Sequence, residues 1–131
     1  MPTKNETTAR EFADAFNERD VDGLIERSAG DCVIVAQRSE TEGAYTGHDG
    51  VRHWAQGYYE LVPDVRIALD RVTELEDGRV LVLGRQSGTT AQGAQFDAPL
   101  ALVGEFEAGL MRTLTAHPTR ARALEAVGVV E

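Results

Sequence analysis

Apolar residues recur at helical spacing in the first half of the chain and in near-continuous runs in the second. Ala9, Phe12, Ala13 and Phe16 fall at i, i+3, i+4 and i+7, which puts one apolar stripe on a helix. The polar stretch from Asn17 to Asp20 breaks that helix. Asp20 is placed to cap a second, short helix, "VDGLIERSA", with Leu24 and Ile25 inward and Gly30 ending it. A strand is expected at "DCVIVAQR". A third helix is expected from about His48 to Leu61, closed by Pro63, which suits no helix interior.

Three long strand candidates follow, at Val65 to Leu75, Arg79 to Thr90 and Gln95 to Glu107, with a fourth from Leu110 to His117. The turns "EDGR" and "EAGL" carry glycine where hairpins need positive φ, so the strands they join must run antiparallel. A short helix, "TRARALEAVG", closes the chain, with Gly128 just past its last turn. Helix-helix-strand-helix followed by a meander predicts an α+β domain with helices covering one face of a curved sheet. No repeat or Pro/Ser-rich linker interrupts residues 1–131, which read as one domain.

The runs "RVLVLG" and "APLALVG" are apolar on successive residues, whereas a sheet with one wet face should alternate. Helices can account for one buried face. The other points to a second subunit, and a homodimer through the sheet is expected.

Charge narrows the partners. A formal net charge of -9, with 13 scattered Lys and Arg, lacks the basic footprint that nucleic acid or an anionic membrane demands. No apolar run approaches the roughly 20 residues of a membrane span, and "MPTKNETTAR" lacks the core of a secretory signal. A cytoplasmic protein is the expectation. The single cysteine, Cys32, lies in the apolar run "CVIV" and reads as buried rather than reactive.

The stretch "YTGHDGVRHW" gathers two histidines, an aspartate and an arginine, yet its spacing argues for a helix entrance. His48 and His53 are five residues apart, roughly 140° around a helix, so one helix face cannot offer both to a metal. Asp49 suits the positive end of the helix dipole. It can also pair with His53 at i, i+4, worth about 0.3–0.5 kcal/mol when the histidine is charged. Neither HExxH nor CxxC occurs, and "SGTTAQG" lacks the lysine of a phosphate loop. No metal and no cofactor are expected.

Several strings in order resemble the SnoaL-like branch of the nuclear transport factor 2-like superfamily: "FNERDVDGLIE", "YTGHDGVRHW", "FEAGLMR" and "RALEAVGV", covering about Arg10 to Val129. The resemblance implies a cone-shaped, mixed or antiparallel curved sheet. Three helices would pack on its concave face around an apolar pocket, with a short C-terminal helix besides. Members include polyketide cyclases, ketosteroid isomerases, epoxide hydrolases and non-enzymatic domains, so the fold alone does not assign a function. The ketosteroid isomerase pattern needs a tyrosine, a base aspartate and an oxyanion-hole aspartate. Laid on this chain it meets Phe12, Ala36 and, to within a residue, Leu102. The cyclase carboxylate falls among Leu102, Gly104, Leu114 and Ala116. The "RxD" string of the epoxide hydrolases is absent from every strand, the nearest being "RVT".

Strand parity turns Gly84 and Gln86 inward with Val80 and Val82. Relatives often carry larger side chains at the positions of Gly84, Gly104 and Ala116, so a roomy, mostly apolar cavity is expected. Strand glycines can instead mark bulges or be filled by neighbouring aromatics. Trp54 and Tyr58 share a helical stripe with Val51 and Val62 and are placed at the cavity roof. Phe12 and Phe16 come from the first helix, and Ile34 and Ala36 from the first strand. Gln86, Tyr58 and Arg38 are its polar candidates. Glu105 should point outward and Asp97 should lie near the mouth of the sheet.

Three functions compete. One is a binding domain for a small apolar molecule, without the family's acid/base residues. Another is an isomerase, cyclase or hydrolase of a small apolar substrate using a non-standard base such as Asp97, His53 or His117. The last is a non-catalytic homodimeric interaction module.

Overall fold

The computed structural model describes residues 1–36 and 43–128. Helices α1 (Lys4–Asn17) and α2 (Val21–Glu26) precede strands β1 (Ser28–Val35) and β2 (Tyr45–Thr46) and helix α3 (Gly47–Leu61). The meander β3 (Arg66–Glu74), β4 (Arg79–Thr89), β5 (Gln95–Glu107) and β6 (Leu110–His117) follows, and α4 (Arg120–Val127) comes last. The architecture is α+β, with one six-stranded sheet in the order β2-β1-β6-β5-β4-β3. It is mixed, because β1 runs parallel to β6 while every other pairing is antiparallel. The end of the "DCVIVAQR" segment, Arg38 with it, and Val129 lie outside the described residues.

The third helix and the meander fall within a residue or so of their expected bounds. The region around Gly30 does not. Strand β1 begins at Ser28, so the second helix stops at Glu26 rather than at Gly30. The reason is pairing: Ser28 lies in register with Met111 of β6, whose N–H donates to the Arg27 carbonyl at 2.9 Å. The Ser28 hydroxyl meanwhile takes up the Leu24 carbonyl at 2.8 Å, which satisfies a group freed at the helix end.

Local chemistry explains the other ends. Thr3 and Glu6 form a capping box on α1. Thr119 caps α4, and Gly128, at φ 74°, ends it in the left-handed conformation that glycine adopts without a steric penalty. In the entrance to α3, Gly47 has φ 69°, and a Cβ on Gly50 would lie 2.7 Å from the Tyr45 carbonyl carbon. Two glycines of "YTGHDG" are therefore backbone requirements.

The polar break after α1 ties the helix to the sheet. The Asn17 side-chain amide donates to the Ile67 carbonyl and accepts from the Ile67 N–H, both at 2.8 Å. At the other end of α1, the Glu6 carboxylate accepts the Glu74 N–H at 2.7 Å. Arg19, held at φ 62°, donates to the carbonyls of Val65 and Pro63 and lies 4.5 Å from the centroid of the Tyr59 ring.

The main core lies between α1–α3 and the inner sheet face, around Phe16, Leu24, Cys32, Ile34, Val51 and Trp54. The opposite face has its own cover. Leu81, Leu83, Ala101 and Val103 pack against Ala123, Leu124 and Val127 of α4. The chain's own last helix thus accounts for the doubly apolar runs of β4 and β5, which needed no second subunit to be buried.

Candidate functional site

The inner face encloses a cavity of about 250 Å³ between α1, α3 and the sheet. Phe12 and Phe16 project from successive turns of α1 and meet Trp54 of α3. The Phe12 ring stacks on the indole at 6.1 Å, and the Phe16 ring is tilted to it at 5.4 Å. Tyr58, one turn after Trp54, sits edge-on to Phe16, also at 5.4 Å. These aromatics form the helical wall.

Strands supply the opposite wall. Ile34 and Ala36 come from β1 and the residue after it, Val82 and Gln86 from β4, Leu102 from β5, and Leu114 and Ala116 from β6. Register accounts for the grouping, since Val82 pairs with Leu102, Leu102 with Ala116, and Ile34 with Leu114 across neighbouring strands. The cavity therefore brings together most of the expected residues, with two exceptions.

Gly84 and Gly104 open no space. A Cβ on Gly84 would be driven into the Ala68 carbonyl oxygen and would lie 3.0 Å from Leu69 Cα. There β3 bulges between Leu69 and Arg71 and presses its backbone against β4. A Cβ on Gly104 would lie 2.6 Å from Cε1 of Phe106, whose ring occupies the place a side chain would take. A register shift between Glu105 and Phe106 accompanies it. The expectation that missing side chains hollow out the wall is corrected at both positions: one glycine faces a bulge and the other an aromatic ring.

Sequence reasoning also missed wall residues. Ile67 and Leu69 of β3, Leu100 of β5 and Met111 of β6 all line the cavity. A signal existed for the first two, since Val65, Ile67 and Leu69 alternate with polar or small residues.

Chemically the wall is sparse. Among the described residues lining it there is no Asp, Glu, Lys or Arg. Its polar side chains are the Trp54 indole, Tyr58, Gln86 and His117. Phe12, Ala36 and Leu102 all reach the cavity but carry no group that could move a proton. Tyr58 and Gln86 face each other across it, the phenol O–H donating to the carboxamide oxygen.

The proposed non-standard bases separate in space. His117 lines the cavity. His53 is exposed, its ring 5.6 Å from that of Tyr45. Asp97 is exposed and paired with Arg85 at 2.7 Å, outside the cavity lining. Glu105 is exposed, as strand parity required. His48 faces the Ser28 carbonyl at 2.9 Å. A carbonyl can only accept, so Nε2 carries the proton. Among the described residues no group of three or more His, Cys, Asp or Glu could hold a metal. Cys32 is fully buried beside the Gly47 carbonyl, and burial pushes its thiol above the ordinary range. No helix among the described residues is long and apolar enough to cross a membrane.

A family model described as a SnoaL-like domain matches residues 9–113. Solved structures share the fold over nearly the whole chain. An NTF2-like protein of unknown function from Burkholderia pseudomallei is 26% identical, with a TM-score of 0.79 over 94% of this chain and 96% of that one. TerC, co-crystallised with polyporic acid, is 18% identical, with a TM-score of 0.78 over 96% and 99%. A protein with a ketosteroid isomerase-like fold from Catenulispora acidiphila, in complex with trimethylamine, is 15% identical, with a TM-score of 0.75 over 94% and 93%. No curated protein matches the sequence.

Proposed function

The chain belongs to the SnoaL-like domain family, and from that premise we propose that it binds a small apolar molecule in the cavity between α1, α3 and the sheet. One observation carries the reading: the cavity is lined mostly by apolar side chains and, among the described residues, by no Asp, Glu, Lys or Arg. Pockets of this make-up take ligands by burying apolar surface, with a few polar groups to orient them. Size narrows the class. An engineered apolar cavity of ~150 Å³ accepts benzene, so about 250 Å³ suits a substituted single ring or a small fused pair.

Thermal unfolding with small apolar compounds tests the proposal, because a ligand that binds only the folded state raises the melting temperature with concentration. Ala116→Phe, which puts a ring into the cavity, should abolish the shift. A melting temperature indifferent to all such compounds, or a shift that survives Ala116→Phe, would remove the proposal.

A second reading, turnover of such a molecule, draws on His117, the candidate base that lines the cavity. It requires His117→Gln to eliminate turnover of a bound compound while leaving its binding intact. Assembly as a homodimer would use the outer sheet face away from α4, which packs on β4 and β5. Light scattering at micromolar concentration decides it, and a monomeric mass counts against it.

A further inference from the structure

We infer that the cavity selects a neutral ligand carrying a hydrogen-bond acceptor of the ketone type, and that the side-chain NH2 of Gln86 is the group that recognises it. The inference rests on the proposed apolar binding and adds to it a polar requirement.

Tyr58 fixes the orientation of the Gln86 carboxamide. Its ring is held edge-on to Phe16 at 5.4 Å and to Trp54 at 6.4 Å, so the aromatic cluster fixes where the hydroxyl lies. That hydroxyl donates to Oε1 of Gln86, which stands on β4 between Ile67 and Ala98 in the sheet. The bond commits the carboxamide oxygen and so decides which end of the amide remains. What remains is an NH2 group with two N–H donors and no acceptor partner among the described residues.

Both residues line the cavity, and the described wall offers neither Lys nor Arg to an anionic ligand. A carboxylate entering would find His117 as the group among the described lining residues able to take a proton, and no Lys or Arg to offset its loss of hydration. A hydrocarbon would leave the Gln86 N–H groups covered and unpaired, which is also unfavourable. A neutral carbonyl meets both conditions.

The probes are 1-indanone and indane, which share a fused-ring frame and differ in one carbonyl. Two readouts are taken: the side-chain 15N–1H signals of Gln86, assigned by their loss in Gln86→Glu, and affinities from titrations followed by NMR. Gln86→Glu keeps an acceptor for the Tyr58 hydroxyl but removes both donors. The expected result is that 1-indanone, and not indane, shifts the Gln86 NH2 signals. Gln86→Glu should then weaken 1-indanone about five- to tenfold and change indane less than twofold. Should that variant fail to fold, the paired change Tyr58→Phe with Gln86→Leu removes both polar groups together, and the same selective loss is expected. If both compounds bind with no selective loss and no selective shift, the recognition role is overturned while apolar binding stands. If neither binds, the apolar-pocket reading itself falls.

Discussion

Gly84→Ala is expected to destabilise the domain by about 2 kcal/mol. If glycine left a gap in the wall, alanine would be neutral or stabilising by about 0.4–1 kcal/mol, through the lower entropy of its unfolded chain. The structure reverses the sign. The new methyl would lie 3.0 Å from Leu69 Cα, 3.1 Å from the Ala68 carbonyl carbon, and closer still to the Ala68 oxygen. Carbon atoms rest at about 3.5–4.0 Å, so β3 must retreat by roughly half an ångström or more. All three neighbours are backbone, and no rotamer change relieves them. Overpacking of this kind costs about 1–3 kcal/mol, with the upper half favoured by the rigid contact and the entropy gain offsetting part of it. At roughly 3–5 °C per kcal/mol for a domain of this size, melting should fall by about 6–10 °C. Gly104→Ala should cost less, because the atom it meets at 2.6 Å is the far end of the Phe106 ring. Gly30→Ala, with no heavy atom within 4 Å of its methyl, is the control and should be neutral or slightly stabilising. Urea unfolding followed by circular dichroism measures all three. A Gly84→Ala protein as stable as the parent would refute the packing of β3 against β4 described above.

Leu124→Ala should cost about 2–4 kcal/mol in the same assay, because Leu124 is buried against the outer face of β4 and β5. A change below about 0.5 kcal/mol would mean that α4 does not cover that face. The Glu6 carboxyl is held below its usual range, first by the Glu74 N–H and then by that of Thr3. Its contribution is complete above the ordinary carboxylate value and is lost as pH falls through the depressed one. Glu6→Gln should therefore flatten the acid limb of the stability–pH curve, and an unchanged limb would refute the assignment. Cys32 should react with a thiol reagent at neutral pH far more slowly in the folded protein than in urea, since it is buried and its thiol is pushed up. Equal rates would contradict its placement.

The helices were legible because burial repeats along a helix every three or four residues, as in Phe12, Phe16 and Trp54, Tyr58. Hairpins were legible because turns announce themselves locally. What escaped the sequence was contact between residues far apart in the chain. Gly84 looks like a vacancy until a bulge 15 residues earlier is placed beside it. The apolar outer face of β4 and β5 looked like an interface because nothing in "TRARALEAVG" says where a short helix will land. Asn17 and Arg19 read only as a break, since their partners lie some 45–50 residues away. Tyr58 and Gln86 could each be named as polar pocket residues, but their hydrogen bond required the fold.

The ties between α1 and β3 have a consequence for how the protein behaves in a crowd. Strand β3 is the outermost strand of the meander, where a foreign chain could add itself and extend the sheet. Asn17 already occupies both backbone groups of Ile67, and Glu6 takes the N–H of Glu74, so neither end of that strand offers a free template. The opposite edge, β2, is two residues long and too short to serve as one. Two polar side chains that look like punctuation at the ends of a helix thus act as a guard against edge-to-edge polymerisation. Asn17→Ala should therefore promote aggregation, read by light scattering on storage, by freeing both backbone groups of Ile67 at the sheet edge.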